Sequence, residues 1–338
     1  MSAQPAPLAI RDDFERRLVN DFQRGFPIAP DPFHVLGEAL GASEQAVIAT
    51  IRRLLRDGAI TRIGPVIRPG AIGTSTLACL AAPPDTLDAV AAIVNAHPEV
   101  NHNYERENRL NLWFVLTART RDDIARALQS IEARTGFPVV ELPLERPYHI
   151  DLGFDLAAQS RRPVEEAATC DAPVAVDADD ERLLAAIEQG IPVVERPFAA
   201  IAARTGETEA GVIDRIERLL HAGVFRRFGI VVRHRRVGYA ANAMCAWEVP
   251  AAQADAFGER LARAHGVTLA YRRRTSPPVW PYNLFGMVHG QDREGVEQRL
   301  ADIAGATGLD AFPSVLLFSR RCYRQRGARY FGALRDAA

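Results

Sequence analysis

The chain has 338 residues, a hydrophobic fraction of 48%, a charged fraction of 25% and a formal net charge of −1. This composition is typical of a soluble protein with room for two or more domains, and it excludes a generally basic nucleic-acid-binding protein. No apolar run approaches the roughly 20 residues that span a bilayer, and the start MSAQPAPLAI lacks the features of a signal peptide. We therefore expect a cytoplasmic protein that does not contact a membrane.

The first predicted elements are helices at 14–22 and 33–40, followed by a third helix that begins after Ser43 and ends at Gly58. Ser43 is a typical N-cap, and Thr208 holds the equivalent place later in the chain. Three helices with a glycine turn before the third predict a helix-turn-helix. The alternating stretch 60–67 then predicts a strand, which we interpret as a wing.

The stretch 25–73 recurs 165 residues later, at 190–238, without insertion or deletion. Such self-similarity indicates duplication of a module. The repeated pairs include Gly25/Gly190, Phe33/Phe198, Glu44/Glu209, Ile51/Ile216, Arg53/Arg218, Gly58/Gly223, Arg62/Arg227, Gly64/Gly229 and Arg68/Arg233.

The second part of each half predicts the order β-α-β-β-α-β, which is ferredoxin-like. The predicted elements are 76–81, 85–96, 100–105, 110–117, 121–135 and 139–144 in the first half, and 243–249, 252–264, 268–273, 284–289, 293–307 and 314–318 in the second. Tyr104 aligns with Tyr271 and Asn111 with Asn283, so the second copy has a longer hairpin.

The predicted fold class is therefore α+β, a tandem duplication of a winged helix-turn-helix plus a ferredoxin-like module. The predicted domains are 11–73 and 181–238 for the helix-turn-helix motifs, and 74–156 and 239–332 for the ferredoxin-like domains. A segment at 157–180, rich in alanine, proline and acidic residues, predicts a flexible linker between the halves. Duplication further predicts a pseudo-dimer within one chain, and a homodimer of the whole chain stays open.

The four cysteines, Cys79, Cys170, Cys245 and Cys322, are far apart and form no C-x-x-C pair. This spacing argues against a zinc site or a disulfide framework, and we expect no metal site and expect Cys79 and Cys245 to fill sheet cores. Every one of the 41 basic residues is arginine. A GC-rich genome explains this bias, and so does a ligand with many carboxylates, because guanidinium groups bind carboxylates in a bidentate manner.

Four strings carry a family resemblance: DFQRGFPIAPDPF at 21–33, TRIGPVIR at 61–68, HNYERENRLNLWF at 102–114 and YRRRTSPPVWPYNLFGMVHG at 271–290. The domain order is similar to that of the Lrp/AsnC transcription regulators. Within that superfamily the strings resemble siroheme decarboxylase, in a fused form of two subunits. The resemblance covers nearly all of the chain outside the linker and the termini.

The resemblance implies removal of carbon dioxide from two acetate side chains of siroheme, which gives didecarboxysiroheme, a precursor of d1-type haem or of haem in an alternative pathway. It implies siroheme as the bound partner and no cofactor beyond the iron of that substrate. Other proteins of d1-type haem biosynthesis are possible partners, and a histidine could ligate the siroheme iron.

A flat tetrapyrrole with eight carboxylates needs arginines and an apolar slot. The arginines that adjoin the strongest motifs supply the first, and two tryptophans supply the second, although Trp113 could equally be a core residue. The candidate substrate-binding residues are Arg62, Arg68, Arg106, Trp113, Arg227, Arg233, Arg272, Arg273, Arg274 and Trp280. A duplicated structural role would also explain why Arg62 and Arg68 repeat.

Decarboxylation leaves an electron pair on the methylene carbon, which must then be protonated. His102 is the best candidate donor, because imidazole titrates near neutral pH. Tyr104 is a second candidate or an orienting donor. In the second copy Leu269 replaces His102 while Tyr271 and Arg273 are kept. We therefore expect unequal halves, in which the second copy binds or catalyses through Tyr271 or His289.

The alternative function is a DNA-binding regulator of the Lrp/AsnC type that senses a small molecule or haem. The first recognition helix offers Glu44, Gln45, Thr50, Arg52 and Arg53, a set that suits DNA weakly. The second offers Glu207, Glu209, Asp214 and Glu217 against Arg215 and Arg218, a face that phosphates repel. DNA binding is the less favoured reading.

Overall fold

A computed structural model describes residues 10–150, 176–233, 241–290 and 292–331. The chain forms two compact units, each of which takes one part from each copy. The helical unit comprises Met1–Gly73, Gly153–Gly238 and Arg329–Ala338, and the sheet unit comprises Thr74–Leu152 and Tyr239–Ala328. Among the described helices, none combines the length and the apolar character required to cross a bilayer.

The helical unit contains two sets of three helices. The first set is α1 (Asp13–Asp21), α2 (Pro32–Leu40) and α3 (Glu44–Arg56), and the second is α6 (Ala178–Ile187), α7 (Pro197–Thr205) and α8 (Glu209–His221). The predicted caps are confirmed, because Ser43 Oγ accepts from the amide of Ala46 at 3.2 Å and Thr208 Oγ1 accepts from that of Gly211 at 3.1 Å. Each helix-turn-helix is thus set by local sequence.

The predicted wing differs from the observed structure. The stretch forms strand β1 (Ile60–Ile67), but its partner is β6 (Phe225–Val232) of the other copy, in an antiparallel pair that sets Gly64 opposite Gly229. A single strand has no internal partner for its amide and carbonyl groups. The duplicated copy supplies that partner, so the two motifs are joined through a shared ladder.

The sheet unit contains the two ferredoxin-like domains, and both follow the predicted order. The first consists of β2 (Thr74–Leu80), α4 (Leu87–Asn95), β3 (Val100–Arg106), β4 (Leu112–Ala118), α5 (Arg121–Thr135) and β5 (Val140–Ile150). The second consists of β7 (Ala241–Trp247), α9 (Ala254–Arg263), β8 (Val267–Arg273), β9 (Leu284–Gly290), α10 (Arg293–Thr307) and β10 (Ser314–Gln325), with a 3₁₀ turn at Leu309–Ala311 before β10.

The eight strands close into one sheet in the order β10-β3-β4-β2-β5-β8-β9-β7. The last strand of each domain is longer than predicted, because β5 pairs with both β2 and β8 while β10 pairs with both β7 and β3. The extensions ERPYHI and SRRCYRQ carry prolines or several charges. These extensions are strands because they pair with strands of the other copy, and their sequences lack an alternating hydrophobic pattern.

Three apolar clusters lie among the described residues of the sheet unit. Two lie between the strands and the helices of each domain, and they include Phe114 and Leu284. The third comes from the alternate strand positions and fills the interior that the closed sheet surrounds, which we call the sheet interior. Cys79 lies in the third cluster and Cys245 in the second domain's cluster, so both fill cores as predicted.

Burial raises the pKa of both thiols, that of Cys245 to about 12.

The longer second hairpin is also present. Asn111 and Asn283 hold equivalent places, since each side-chain amide donates at 2.8 Å to a backbone carbonyl, that of Ala82 and of Val249 respectively.

Helix α6 begins at Ala178, inside the predicted linker 157–180. The acidic run that made the segment look unstructured instead caps this helix, since Asp177 accepts from the amide of Asp180 at 2.7 Å. Positions 157–175 of the linker and the end of the second helix-turn-helix, 234–238, lie outside the described residues. The predicted domain limits stay a prediction.

Candidate functional site

The first candidate group is a row of three side chains on β3: His102, Tyr104 and Arg106, which we call the first row. Asn103, between them, donates to the backbone carbonyl of Ala91 on α4 at 3.4 Å and so faces the helices. Because successive strand residues point to opposite faces, the row points away from the helices and toward the sheet interior. The sequence string HNYER therefore places its three candidate side chains on one face of the sheet.

A register shift between Val100 and His102 precedes the first row. Such a bulge re-aims side chains. The carbonyl oxygen Oδ1 of Asn101 lies 3.2 Å from Nδ1 of His102, and the amide Nδ2 of Asn101 donates to Thr117 Oγ1 at 2.9 Å. Asn101 is thus a positioning residue for the imidazole.

Arg106 is buried, with 6% of its surface exposed. Its Nη1 donates to the backbone carbonyl of Leu317 on β10 at 2.9 Å, and its guanidinium carbon lies 5.6 Å from the centroid of the Tyr104 ring. The rings of His102 and Tyr104 are nearly parallel, with centroids 6.3 Å apart. Imidazole, phenol and guanidinium therefore follow one another along a single strand.

The second row consists of Leu269, Tyr271 and Arg273 on β8, at the positions equivalent to the first row. The Tyr271 ring stacks on Phe285 with centroids 5.5 Å apart, and its hydroxyl lies 3.5 Å from the sulfur of Met244. Thioether sulfur is a weak acceptor, so this hydroxyl remains a strong donor with a weak partner.

Arg273 is a buried cation with 8% of its surface exposed. Its Nη1 donates to the carbonyl of Leu142 on β5 at 2.9 Å, which repeats the contact of Arg106 with Leu317. Among the described residues its Nε has no hydrogen-bond partner, and no carboxylate lies at ion-pair distance from the guanidinium. Burial lowers the pKa of Arg273, opposed by the nearby phenol of Tyr271. A buried cation of this kind is costly unless a ligand supplies the anion.

The two candidate tryptophans meet in the sheet interior, where their ring centroids are 4.8 Å apart. Trp113 is core-like, because its indole N–H donates to the carbonyl of Leu110 at 2.5 Å. Trp280, on the longer second hairpin, is 2% exposed, and its indole N–H has no acceptor among the residues that the structure describes. The two tryptophans therefore share a place but differ in hydrogen bonding.

Arg272 and Arg274 point away from the second row. Arg272 donates to Glu145 Oε2 at 3.1 Å and to Asp255 Oδ1 at 2.7 Å, and the Arg274 side chain is 70% exposed. The guanidinium of Arg272 is thus already paired with two carboxylates of the protein itself. Of the three consecutive arginines, only Arg273 lies in the row.

The other four candidate arginines lie in the helical unit and contact backbone carbonyls of that unit. Arg62 donates to Pro65 at 3.0 Å, and Arg227 donates to Ile230 at 3.2 Å and to Gln23. Burial lowers the pKa of Arg62 to about 10, against the opposing effect of Glu188. These contacts suit a structural role, and substrate binding by Arg62 and Arg227 stays a prediction.

Arg68 and Arg233 hold equivalent places in the two copies. Arg68 donates through Nε to the carbonyl of Gly223 at 2.9 Å, and the amide of Arg233 donates to Ala59 at 2.9 Å. Each arginine thereby joins the end of one copy's third helix to the other copy. Substrate binding by these two residues also stays a prediction.

Sequence reasoning missed two features of the rows. It did not find Asn101, although that residue directly precedes His102, because a bulge has no signature in a single sequence. It also missed the carbonyls of Leu142 and Leu317 that anchor the two buried arginines, because those strands continue into the other copy. In the described part of the chain, no three His, Cys, Asp or Glu side chains are grouped to hold a metal ion.

The fold and the rows define a duplicated helix-turn-helix and ligand-binding protein. The family model of the AsnC-like ligand binding domain matches residues 71–149 and 236–324. The family model of the siroheme decarboxylase NirDL-like HTH domain matches residues 15–60 and 180–226. Each model matches twice, as expected for a duplicated chain. The duplicated fold class is confirmed.

Known relatives match either most of this chain or about one half of it. The chain is 42% identical to the siroheme decarboxylase NirDL subunit of Paracoccus denitrificans, over 94% of this chain and 97% of that one. It is 48% identical to the siroheme decarboxylase NirD subunit of Pseudomonas aeruginosa, over 44% of this chain and 98% of that one. A crystal structure of the siroheme decarboxylase NirDL in co-complex with an iron-uroporphyrin III analogue matches at 28% identity, with a TM-score of 0.66 and 95% of each chain covered.

The chain belongs to the siroheme decarboxylase family. The family resemblance of the four sequence strings is thereby confirmed. The NirD subunit aligns over nearly all of its own length with less than half of this chain, which is consistent with a fused form of two subunits.

Proposed function

We propose that this chain removes carbon dioxide from two acetate side chains of siroheme and so forms didecarboxysiroheme. The single observation that carries the proposal, beside family membership, is the buried guanidinium of Arg273, which has no carboxylate partner among the described residues. A ligand with many carboxylates provides the missing anion, and a flat macrocycle suits the aromatic side chains beside it.

The chemistry follows from the side chains of the first row. The bond between the carboxylate carbon and the methylene carbon breaks, carbon dioxide leaves, and the macrocycle delocalises the electron pair. His102 then delivers a proton to the methylene carbon, which becomes a methyl group. General acid catalysis of this kind contributes about 10²–10⁴-fold in rate. Asn101 holds the imidazole through Nδ1, so that Nε2 is the nitrogen assigned to the transfer.

Tyr104 and Tyr271 are proposed as donors to the reacting carboxylates or as secondary proton donors. The hydroxyl of Tyr271 lies 3.5 Å from the sulfur of Met244, a weak acceptor, so a substrate carboxylate is a better partner. Arg106 and Arg273 are proposed to bind carboxylates, with Trp280 as a further donor and Trp113 as an apolar wall. Arg272 and Arg274 are proposed to contribute to substrate binding through their positive charge near the end of β8.

The contacts of the two recognition helices argue against the regulator alternative. On α8, Arg215 forms ion pairs with Asp180 at 2.9 Å and with Glu207 at 3.2 Å, and Arg218 also pairs with Asp180. On α3, Arg52 donates to the carbonyl of Val193 at 2.8 Å. Arginines already engaged in this way are poorly available for DNA phosphates.

The finer assignments are proposals too. We propose that the product feeds d1-type haem or alternative haem synthesis in the cytoplasm, that no cofactor is needed beyond the substrate's own iron, and that other proteins of d1-type haem biosynthesis are possible partners. Relatives bear the name subunit, which supports an assembly larger than one chain. A pseudo-dimer within the chain is the minimal form, and a homodimer is the next larger one.

Anaerobic incubation of the purified protein with siroheme, followed by mass spectrometry of the tetrapyrrole, tests the proposal. We expect loss of two carbon dioxide units. Unchanged siroheme, bound to folded protein as judged by its absorption spectrum, would leave only a binding function. An absorption spectrum that shows an additional axial ligand on the siroheme iron would indicate coordination by a histidine.

A further inference from the structure

The second hairpin brings into the sheet interior a side chain that the first hairpin lacks. Six residues separate Tyr104 from Asn111 in the first copy, whereas eleven separate Tyr271 from Asn283 in the second. Trp280 lies in the longer stretch and belongs to the interior cluster, with 2% of its surface exposed. The shorter stretch, ERENRL, contains no aromatic residue, so the repeat gives this indole no equivalent in the first copy.

The indole of Trp280 lies against two residues that the repeat makes equivalent. Trp113 and Phe285 each follow the equivalent asparagine by two positions. The Trp280 ring is 4.8 Å from the Trp113 ring and 6.3 Å from the Phe285 ring, between centroids. It meets Trp113 edge-on, at 68°, and lies nearly parallel to Phe285, at 22°. One unrepeated ring therefore contacts both copies and makes the two halves of the sheet interior unequal.

The hairpin holds this indole in place. Ser276 and Trp280 exchange two backbone hydrogen bonds, each of 2.8 Å. Pro277, Pro278 and Pro281 restrict the backbone on both sides of the ring, because a proline ring fixes its own φ. The position of the indole is thus set before a ligand binds, as a residue that determines specificity requires.

The chemistry of the indole indicates that it serves a ligand. No described residue accepts its N–H, and burial of an unpaired donor is unfavourable. A phenylalanine would fill the same space without that donor. Packing alone therefore does not account for a tryptophan at this position.

The two rows offer a macrocycle nearly the same contacts in two places. Each has a tyrosine followed two positions later by a buried arginine, Tyr104 with Arg106 and Tyr271 with Arg273. Such a repeated frame alone would accept a ring of carboxylates in two orientations that the repeat relates to each other. An unrepeated group beside the frame makes one orientation unfavourable, which is how a binding site discriminates between similar states.

We propose that Trp280 is a specificity-determining residue, which selects one orientation of siroheme in the sheet interior and so determines which of the two acetates is lost first. The inference rests on the proposed function. A tenfold preference between two orientations corresponds to about 1.4 kcal/mol. A single well-packed aromatic contact is of that size. Each loss releases carbon dioxide and leaves a proton on the methylene carbon, so the two possible first products are isomers of equal mass.

The test uses the full chain and siroheme under anaerobic single-turnover conditions, with the reaction stopped at partial conversion. Chromatography separates the two singly decarboxylated isomers. We expect the wild type to form one of them in at least about tenfold excess. Trp280→Leu keeps an apolar side chain in the interior and should reduce that excess to less than about threefold. Val279→Ala, on the same hairpin at a side chain 40% exposed, is the matched control and should keep the wild-type ratio.

A second variant keeps the test decisive where the leucine variant does not fold. Trp280→Phe retains an aromatic ring and should give a ratio between those of the wild type and Trp280→Leu. Equal amounts of the two isomers from the wild type, or the wild-type ratio in both Trp280 variants, would overturn the inference while leaving the proposed function intact. A lost preference in Val279→Ala would also overturn it. Wild-type protein that binds siroheme and releases no carbon dioxide would instead refute the proposed function.

Discussion

The two rows of the sheet unit have the same frame and different chemistry. In both, a tyrosine precedes a buried arginine by two residues, and the arginine donates at 2.9 Å to a leucine carbonyl on the long strand of the other copy. They differ at one end, where His102 faces Gln325 and Leu269 faces Ile150 across the strands. Duplication thus preserved the tyrosine and the buried arginine that we propose to bind carboxylates, while the position of His102, the proposed proton donor, diverged.

The largest effect is expected from removing the shared part of the frame. Arg106→Leu combined with Arg273→Leu should weaken siroheme binding about 100-fold or more, because each lost charge-assisted hydrogen bond costs about 1.5–3 kcal/mol. Absorption titration measures the affinity. Arg126→Leu, at a side chain 70% exposed, is the control. Unchanged affinity in the double variant would show that the rows do not bind the substrate.

The cost of the buried charge can be measured in the absence of substrate. Arg273→Met should raise the free energy of unfolding of the ligand-free protein by about 1–3 kcal/mol, because it removes a buried cation with no carboxylate partner in the described structure. The folded-state pKa of Arg273 lies below its unfolded value, so the charged form opposes folding throughout the neutral range. Denaturant titration at neutral pH measures the change. A marked loss of stability would mean that Arg273 is a structural anchor.

The two tryptophans provide a matched pair. Trp280→Phe keeps an aromatic ring and removes an N–H that no described residue accepts, so stability should change by less than about 0.5 kcal/mol while siroheme affinity falls several-fold. Trp113→Phe removes a donor bonded to Leu110, so it should cost about 1 kcal/mol of stability and leave affinity unchanged. The reverse pattern would exchange the roles of the two residues.

The smallest effect on binding is expected in the helical unit. Arg68→Ala should lower the free energy of unfolding by about 1 kcal/mol, because it removes the bond to Gly223, and should change siroheme affinity by less than about twofold. Thermal unfolding and absorption titration together separate the two outcomes. A large loss of affinity with normal stability would confirm the sequence-based prediction that Arg68 binds substrate.

Much of the fold could be predicted from the sequence because the repeat and the helix caps are local. The predicted bounds of α5 and α10 agree with the structure at both ends. The pairing of β1 with β6 and the extensions of β5 and β10 could not be predicted, since those strands are completed by residues of the other copy. Their sequences contain no period that identifies a distant partner.

The sequence was sufficient to predict which side chains form each row of the candidate site. HNYER and YRRRT mark the strand positions, and alternation delivers His102, Tyr104 and Arg106 to one face. The sequence could not show that Arg272 pairs with two carboxylates while its neighbour Arg273 has none among the described residues, because that difference depends on where the fold places Glu145 and Asp255. Nor could it show that His289 is bonded to Thr268, since the bulge beside them has no local signature.

The most direct test counts carbon dioxide released per siroheme by wild-type protein and by His102→Asn, under anaerobic single-turnover conditions. Leu269→Asn is the matched variant in the second row. We expect two molecules released by the wild type and by Leu269→Asn, and at most one by His102→Asn, with siroheme bound in all three. Release of two molecules by His102→Asn at the wild-type rate would contradict the assignment of proton transfer to the first row.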